Sequence, residues 1–232
     1  SINALNVFPV PDGDTGTNML LTMRAAIEQT SVEHEVADVS VASIVARLAN
    51  GAFWGARGNS GVILSQFLAG MALGLAEVQV CDGKDLERAF REGSLSAYAS
   101  VGNPMEGTML TVLGALSPAV QALSNQGEEN TVALWKVAFD ASLATLESTP
   151  SLLPVLKDAG VVDAGGLGVV VILGGILDQL TGANGLDSLV VNFESQAPTP
   201  RSMIAQPQAV ESHASWGFCI QFVIQGKDLA SD

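Results

Sequence analysis

Apolar residues recur at intervals of three and four positions along most of the chain, as far as about residue 182. Such spacing places them on one face of an α-helix. Short segments containing Gly, Pro, Asn or Asp separate these stretches and mark the connections. The pattern predicts eight helices, over residues 18–30, 41–53, 60–78, 85–101, 107–124, 131–147, 151–157 and 165–180. Eight helices with short connections exceed a four-helix bundle around one core, so we predict an all-α fold, either a closed antiparallel barrel of eight helices or two layers.

The last predicted helix contains the most apolar run of the sequence. Residues 164–177 carry five glycines and lie between Asp163 and Asp178. This run of about fourteen residues is shorter than the roughly 20 that a membrane span needs. We therefore expect a buried helix that packs closely on its neighbours, and no insertion into a membrane.

The pattern changes after residue 182. Residues 183–215 contain several prolines and many polar residues, which is typical of a linker, with a short strand predicted at 189–193. Residues 216–225 are rich in aromatic and β-branched side chains and predict the first strand of another domain. We therefore expect a helical domain over residues 1–182, a linker over 183–215, and the start of a truncated middle domain over 216–232.

Charge and cysteine content narrow the function. The formal net charge of −14 argues against nucleic acid or an anionic membrane as a partner, since both attract basic surfaces. Any anionic ligand must then be held by a metal, an arginine or helix N-termini. The two cysteines, Cys81 and Cys219, form no CxxC pair, which favours a reduced, cytoplasmic protein.

Two carboxylates lie two residues apart in residues 8–19, which read FPVPDGDTGTNM. The prolines stiffen this segment, its glycines permit a bend, and Thr15 or Thr17 can cap a helix that starts near Asn18. The segment predicts a rigid loop that holds oxygens of Asp12 and Asp14 around Mg²⁺ or Ca²⁺. An acidic turn that only caps a helix is the alternative. An EF-hand is excluded, because Gly and Met stand where the third oxygen ligand and the bidentate Glu belong.

A second motif, GARGNSG at residues 55–61, precedes an apolar helix. Bare backbone amides and the positive end of a helix dipole form an anion site there. Asn59 and Ser60 add a cap and a hydroxyl donor, and Arg57 adds a planar cation suited to phosphate. The loop is not a Walker A motif, because no Lys follows its last glycine. A glycine-rich helix start that serves close packing is the alternative.

Two further loops also precede helices. In residues 103–110, Thr108 can cap the next helix and border a flat base together with Met109. In residues 161–168, Asp163 precedes glycines and can cap a helix whose backbone lines a nucleotide. Each loop has a purely structural alternative. Taken together, the four loops provide metal ligands, an anion cradle and an edge for a base, which is the inventory for phosphoryl transfer.

Residues 5–19, LNVFPVPDGDTGTNM, closely resemble the signature of the ATP-binding (DhaL-like) domain family of dihydroxyacetone kinases. Within that family the chain is most similar to the N-terminal nucleotide domain of the bacterial fatty-acid kinases. Residues 55–61, 107–109 and 163–166 match later motifs in the same order. The resemblance covers about residues 1–182 and implies an eight-helix barrel that binds ATP or ADP at one end through Mg²⁺, usually two ions.

The resemblance also assigns site residues. It implies that Asp12 and Asp14 are metal ligands, and Asn6 stands nearest to the place of a third aspartate ligand found in the acyclic kinase branch. Together with Arg57, the two aspartates form the predicted catalytic set. The predicted nucleotide contacts are Thr15, Thr17, Asn18, Gly58, Asn59, Ser60, Gly61, Thr108, Met109, Asp163, Ala164 and Gly165.

The acceptor implied by the resemblance is a fatty-acid carboxylate, because Thr15 stands where the dihydroxyacetone branch has His. A carboxylate is already ionised near pH 7, whereas an alcohol acceptor requires a general base. In the fatty-acid branch a DegV-like lipid-binding partner presents the acyl chain. A dihydroxyacetone kinase and a non-catalytic nucleotide-binding regulatory module are the alternatives, and a homodimer through the C-terminal region is a further expectation.

Overall fold

The structure, a computed structural model, describes residues 1–31, 40–183 and 193. Nine α-helices make up most of these described residues. A 3-10 helix at Ile2–Leu5 precedes α1 (Thr15–Ser31), α2 (Val41–Gly55), α3 (Gly58–Gly74), α4 (Gly83–Ala99), α5 (Met109–Gly114), α6 (Leu116–Ser124), α7 (Thr131–Leu152), α8 (Pro154–Ala159) and α9 (Ala164–Thr181). Only Ala115 separates α5 from α6, so the two form one bent helix. Counted in this way, the described residues contain the eight predicted helices.

The long helices form a closed ring. Each of α1, α2, α3, α4, α6, α7 and α9 packs against the next, and α9 returns to pack against α1. This arrangement confirms the all-α barrel and rules out two separate layers. Its core is apolar, with Phe90 stacked on Phe67 and meeting Trp135 edge to face.

Glycines at the helix contacts show how the helices run. A Cβ at Gly70 would collide with the Glu92 carbonyl oxygen, and a Cβ at Gly74 would lie 2.9 Å from Ala89 Cα, so α3 and α4 are antiparallel. Gly168, near the start of α9, touches Met19, near the start of α1. These two neighbours are therefore parallel, which the prediction of an antiparallel barrel did not anticipate.

As a result, α1, α3, α5 and α9 all begin at one end of the ring, which we call the mouth. Gly58 and Gly61 of α3 lie against Asn18 and Thr22 of α1, so these two helices also run in the same direction. Gly165 at the start of α9 lies against Met109 at the start of α5. The four loops singled out in the sequence therefore meet at the mouth.

Helix α9 is the apolar helix expected from the sequence. By length and composition its 18 residues are sufficient to cross a membrane, but half of this stretch is buried within the domain. Nine of its residues, from Ala164 to Gly174, are buried. This burial is typical of a core helix of a folded domain.

The starts of α1 and α3, at the mouth, come earlier than predicted. Helix α1 begins at Thr15 and not near Asn18, because the Asn18 amide already donates to the Asp14 carbonyl at 2.9 Å. Helix α3 begins at Gly58 with Arg57 at the N-cap position, so neither Asn59 nor Ser60 is the cap. In both loops the helix already includes the polar residues that the sequence suggested as caps.

Helix α7 continues through Pro150, where the sequence predicted a break. A proline inside a helix leaves the carbonyl four residues earlier without its usual donor. Here that carbonyl belongs to Leu146, and the Thr149 hydroxyl donates to it at 2.7 Å. Because the lost hydrogen bond is replaced locally, the helix ends only at Leu152, before Pro154 starts α8.

The predicted linker at 183–215 and the predicted domain start at 216–232 lie outside the described residues, except for Ala183 and Phe193. Phe193 is buried and belongs to the apolar core. Its backbone is helical, and the other residues of the strand predicted at 189–193 lie outside the described residues.

Candidate functional site

The loop before α1 holds its acidic residues at the surface beside a buried amide. Asp12 and Asp14 are both exposed, whereas Asn6 is only 3% exposed. The Asn6 side-chain amide donates to Asp12 Oδ1 at 2.6 Å. The other end of this amide, Oδ1, is buried and has no hydrogen-bond partner among the described residues. The Asn6 side chain therefore binds the exposed Asp12 carboxylate through its nitrogen, while its buried oxygen has no partner among the described residues.

Asn3 braces the same loop from outside. Its Oδ1 accepts from the Thr17 backbone amide at 3.1 Å, and its Nδ2 donates to Thr17 Oγ1 at 2.9 Å. Gly16 permits this approach, since a Cβ there would lie 2.9 Å from Asn3 Oδ1. The Thr17 backbone amide is thus engaged within the protein, while the Thr17 hydroxyl accepts from Asn3 and keeps its own hydrogen available to donate to a ligand oxygen.

The glycine loop packs directly on the first turns of α1. Ser60 Oγ donates to the Thr15 carbonyl at 3.3 Å, and both residues are buried. Gly58 has a φ of +57°, and a Cβ there would collide with Asn18 Nδ2. The structure therefore brings together the predicted metal loop and the predicted anion loop.

The start of α3 differs from the starts of α5 and α9. Thr108 accepts from the Leu110 amide, and Asp163 accepts from the Gly166 amide, so those two helices carry side-chain caps. Arg57, at the N-cap of α3, makes no such hydrogen bond. Its guanidinium is exposed and donates to the Ala56 carbonyl at 2.9 Å. Amides of the first turn of a 17-residue helix thus remain available for an anion beside an exposed arginine.

Thr22 is a site residue that the sequence analysis missed. Its fully buried hydroxyl donates to the Asn18 carbonyl at 2.8 Å and accepts from the Arg57 backbone amide at 3.2 Å. It therefore ties the glycine loop to α1. The sequence signal for this role was a threonine on an apolar helix face, four residues after Asn18. No spacing rule links that position to residue 57.

Replacing Thr22 with Val should loosen this connection. Valine keeps the shape but removes the acceptor, so we expect a loss of about 1 to 2 kcal/mol in the free energy of unfolding. Amide hydrogen exchange should accelerate at Arg57. Thr22→Ser is the matched control, because it keeps the hydroxyl and should keep Arg57 protected. Equal protection in both variants would show that this hydrogen bond does not hold the loop.

The third and fourth loops also meet. A Cβ at Gly165 would lie 3.1 Å from Met109 Sδ and 3.3 Å from Asp163 Oδ2. Met109, Ala164 and Gly165 are buried, and Thr108 is half-buried. Of these four residues, Thr108 is therefore the one that is partly exposed at this edge of the mouth.

Glu106 links Tyr98 to Thr111 beside this edge, and the sequence analysis did not single it out either. Its carboxylate accepts from Tyr98 OH at 3.0 Å and from Thr111 Oγ1 at 2.7 Å, while Thr111 Oγ1 accepts from the Gly107 amide at 2.8 Å. Partial burial and the neighbouring Glu106 carboxylate raise the pKa of Tyr98 to about 12. The phenol therefore stays protonated and continues to donate at neutral pH.

Asp163 is the most perturbed carboxyl group of the site. Burial raises its pKa to about 6, although backbone amides of Gly166, Met109 and Gly165 face it and act in the opposite direction. Its backbone amide donates to Thr149 Oγ1 at 3.1 Å. The carboxylate is thus held among amides of two helix starts.

This raised pKa predicts a pH dependence of stability. A carboxyl group whose pKa is higher in the folded state stabilises the fold at low pH and loses that contribution as the pH rises through about 6. The free energy of unfolding of the wild type, minus that of Asp163→Asn, should therefore fall by about 2 to 3 kcal/mol between pH 4 and pH 7. Urea titrations at several pH values measure this difference. A difference that does not change with pH would contradict the raised pKa.

No group of three or more His, Cys, Asp or Glu side chains suited to a metal ion occurs among residues 1–31, 40–183 and 193. The predicted cation site contains only two carboxylates, so an amide oxygen or other ligands would have to complete it. Cys81 lies far from these loops in sequence, and burial together with Asp85 and Asp82 raises its pKa to about 11, so it is an unreactive thiol.

These features define a class of protein: a closed helical barrel whose mouth combines exposed carboxylates, an uncapped helix start and an edge at Thr108 and Met109 where two further helix starts meet. The chain belongs to the DAK2 domain family, whose model matches residues 9–178. This membership confirms the resemblance found in the sequence and the helical barrel, and DAK2 domains bind ATP or ADP in general.

The chain is also similar to several bacterial proteins. It is 35% identical to Protein YloV of Bacillus subtilis over 226 residues, which cover 97% of this chain and 40% of that protein. It is 40% identical to an uncharacterized protein of Staphylococcus saprophyticus over 183 residues, which cover 78% of this chain and 32% of that protein. The chain thus spans about a third to two fifths of the length of these curated relatives.

Proposed function

We propose that this domain binds ATP together with Mg²⁺ at the mouth of the barrel and transfers the γ-phosphoryl group to a fatty-acid carboxylate. The observation that carries the proposal is the contact between the first two loops. The uncapped start of α3 lies against α1 through Ser60 and Thr15 and through Gly58 and Asn18. An anion cradle beside exposed carboxylates suits a phosphate chain that is bound with a cation.

The residues around Asn6 fit a cation. Asn6 Oδ1 is buried and lacks a donor among the described residues, and an unsatisfied buried acceptor is costly. Turning the amide over would place its oxygen beside Asp12 Oδ1, an arrangement that is stable only when a cation or proton lies between them. We propose that Asp12, Asp14 and Asn6 hold Mg²⁺, two ions if the family pattern applies, which neutralises phosphate charge when bound.

The chain's own residues would then position and stabilise the nucleotide. The first amides of α3 and the Arg57 guanidinium donate to phosphate oxygens, and Asn18 lies beside Gly58 at the same place. Thr108 and the backbone near Gly165 border the base. In phosphoryl transfer most of the catalysis comes from such positioning and from charge stabilisation, so no further nucleophile is required in the protein.

The proposed acceptor agrees with the environment of Thr15. This residue is only 9% exposed, and it is not a base, so its position offers no group that removes a proton from an alcohol. A carboxylate acceptor needs no such group. At the end of α2, next to the glycine loop, Phe53 and Trp54 are 54% and 68% exposed. Exposed aromatic residues suit contact with a protein partner, and we propose that this partner is a DegV-like lipid-binding protein.

The test uses the full-length protein and the 232-residue chain in parallel. Calorimetry with an ATP analogue, with and without Mg²⁺, measures nucleotide binding to the chain. Incubation of the full-length protein with radiolabelled ATP and either a fatty acid on its lipid-binding carrier or dihydroxyacetone identifies the acceptor. Acyl phosphate formed only with the carrier supports the proposal. Phosphorylated dihydroxyacetone, or tight nucleotide binding with no turnover on either acceptor, would replace it with one of the two alternatives.

A further inference from the structure

The fourth loop contains a buried carboxylate whose position is not explained by helix capping alone. Asp163 is 6% exposed and accepts from the Gly166 amide at 2.7 Å, which is an ordinary N-cap hydrogen bond of α9. A cap of this kind needs one oxygen and tolerates exposure to water. Asp163 instead lies inside, with the Gly165 and Met109 backbone amides also facing its carboxylate.

These amides belong to two different helices. Met109 is the first residue of α5, and Gly165 and Gly166 lie in the first turn of α9. The glycine at 165 allows this approach, since a Cβ there would come within 3.1 Å of Met109 Sδ. A second contact, from the Asp163 amide to Thr149 Oγ1, connects α7 to the same residue. Asp163 therefore lies where α5, α7 and α9 meet.

We infer that Asp163 is a positioning residue that joins the starts of α5 and α9 through its carboxylate and thereby fixes the edge of the mouth at Thr108 and Met109. The inference rests on the proposed function for its effect on the nucleotide, but the joint itself exists in the free protein. An ordered edge lowers the entropy lost when a nucleotide binds, so loosening it should weaken binding without removing any group that contacts phosphate or metal.

Serine at position 163 separates the joint from the cap. Serine is as good an N-cap as aspartate, but its single, shorter oxygen cannot serve amides of two helices. In Asp163→Ser we expect the Met109 amide to exchange about tenfold faster, and the dissociation constant for an ATP analogue with Mg²⁺ to rise about tenfold. Exchange at Gly61, in the anion loop, should not change.

Asp82→Ser is the matched control. Asp82 also caps a helix, α4, and accepts from the Asp85 amide at 2.8 Å, but α4 runs antiparallel to α3 and so begins away from the mouth. This variant should leave both the Met109 exchange rate and nucleotide affinity at wild-type values. If Asp163→Ser does not fold, Asp163→Asn replaces it, with the same expectation, because an amide presents only one acceptor oxygen.

The two readouts separate failure of the inference from failure of the proposed function. Unchanged Met109 exchange in Asp163→Ser overturns the inference. Faster exchange with unchanged nucleotide affinity shows that the joint does not serve binding and also overturns it. If the wild type binds no nucleotide, the proposed function fails and the role assigned to the edge fails with it, while the exchange measurement still reports whether α5 and α9 are joined.

Discussion

Replacing Asp12 with alanine should abolish phosphoryl transfer and weaken binding of the Mg²⁺–nucleotide complex. The exposed Asp12 carboxylate accepts a hydrogen bond from the buried Asn6 amide at 2.6 Å. The change therefore removes a negative charge from the proposed Mg²⁺ site beside Asn6. Loss of one charged group that stabilises the transferring phosphate typically lowers kcat by about a hundredfold or more. Asp14→Ala should have the same effect. Single-turnover rates and titration of Mg²⁺ at fixed nucleotide measure both changes.

The control for loss of charge is Asp140→Ala. Asp140 is an exposed carboxylate on α7 that pairs with Lys136 at 2.6 Å, an interaction that contributes little at a surface. The Asp140→Ala substitution removes one negative charge from the same acidic chain without changing the mouth. Normal turnover in Asp12→Ala or Asp14→Ala, with the Mg²⁺ dependence retained, would show that the metal assignment is wrong.

The sequence predicted the helices and the loops because both depend on local patterns, whereas the barrel followed from the family resemblance. Helical periodicity and short connections fix the number of helices, and glycines, prolines and acidic residues before helix starts mark the loops at the mouth. The contact between the loops at 12–18 and 57–61 could not be derived in this way. It depends on α1 and α3 running parallel, and the residues that secure it, such as Thr22, are polar groups within otherwise ordinary helical stretches.

Capping residues show the same limit. Thr17, Asn59 and Ser60 are all good N-caps by residue type, yet none caps its helix in the structure. Thr17 pairs with Asn3, which lies fourteen residues earlier, and Ser60 donates to Thr15, which lies in another helix. Propensity describes what a side chain can do with its own backbone. At a site where several helix starts meet, the partners come from other elements, so the structure decides which amides remain available.

Replacing Gly58 with alanine should damage the site more than its small size suggests. Gly58 has a φ of +57°, a conformation that costs an L-residue about 1 to 2 kcal/mol. The added Cβ would also collide with Asn18 Nδ2 and lie 2.9 Å from Asn18 Cγ, so the Asn18 side chain must leave its place. We expect a loss of about 1 to 3 kcal/mol in unfolding free energy and a large loss of Mg²⁺–nucleotide affinity, about tenfold to a hundredfold.

Gly102→Ala is the control for Gly58→Ala, because it adds the same methyl group where there is open space. Gly102 lies between α4 and α5, its φ is not in the left-handed region, and a Cβ built there has open space around it. Its replacement should leave stability within about 0.5 kcal/mol and should not change nucleotide affinity. Should Gly58→Ala lose stability but bind nucleotide as the wild type does, Asn18 and the start of α3 would be structural neighbours only. Loss of both stability and nucleotide affinity would show that the anion cradle depends on its contact with α1, because the atoms nearest to the new methyl group all belong to the Asn18 side chain.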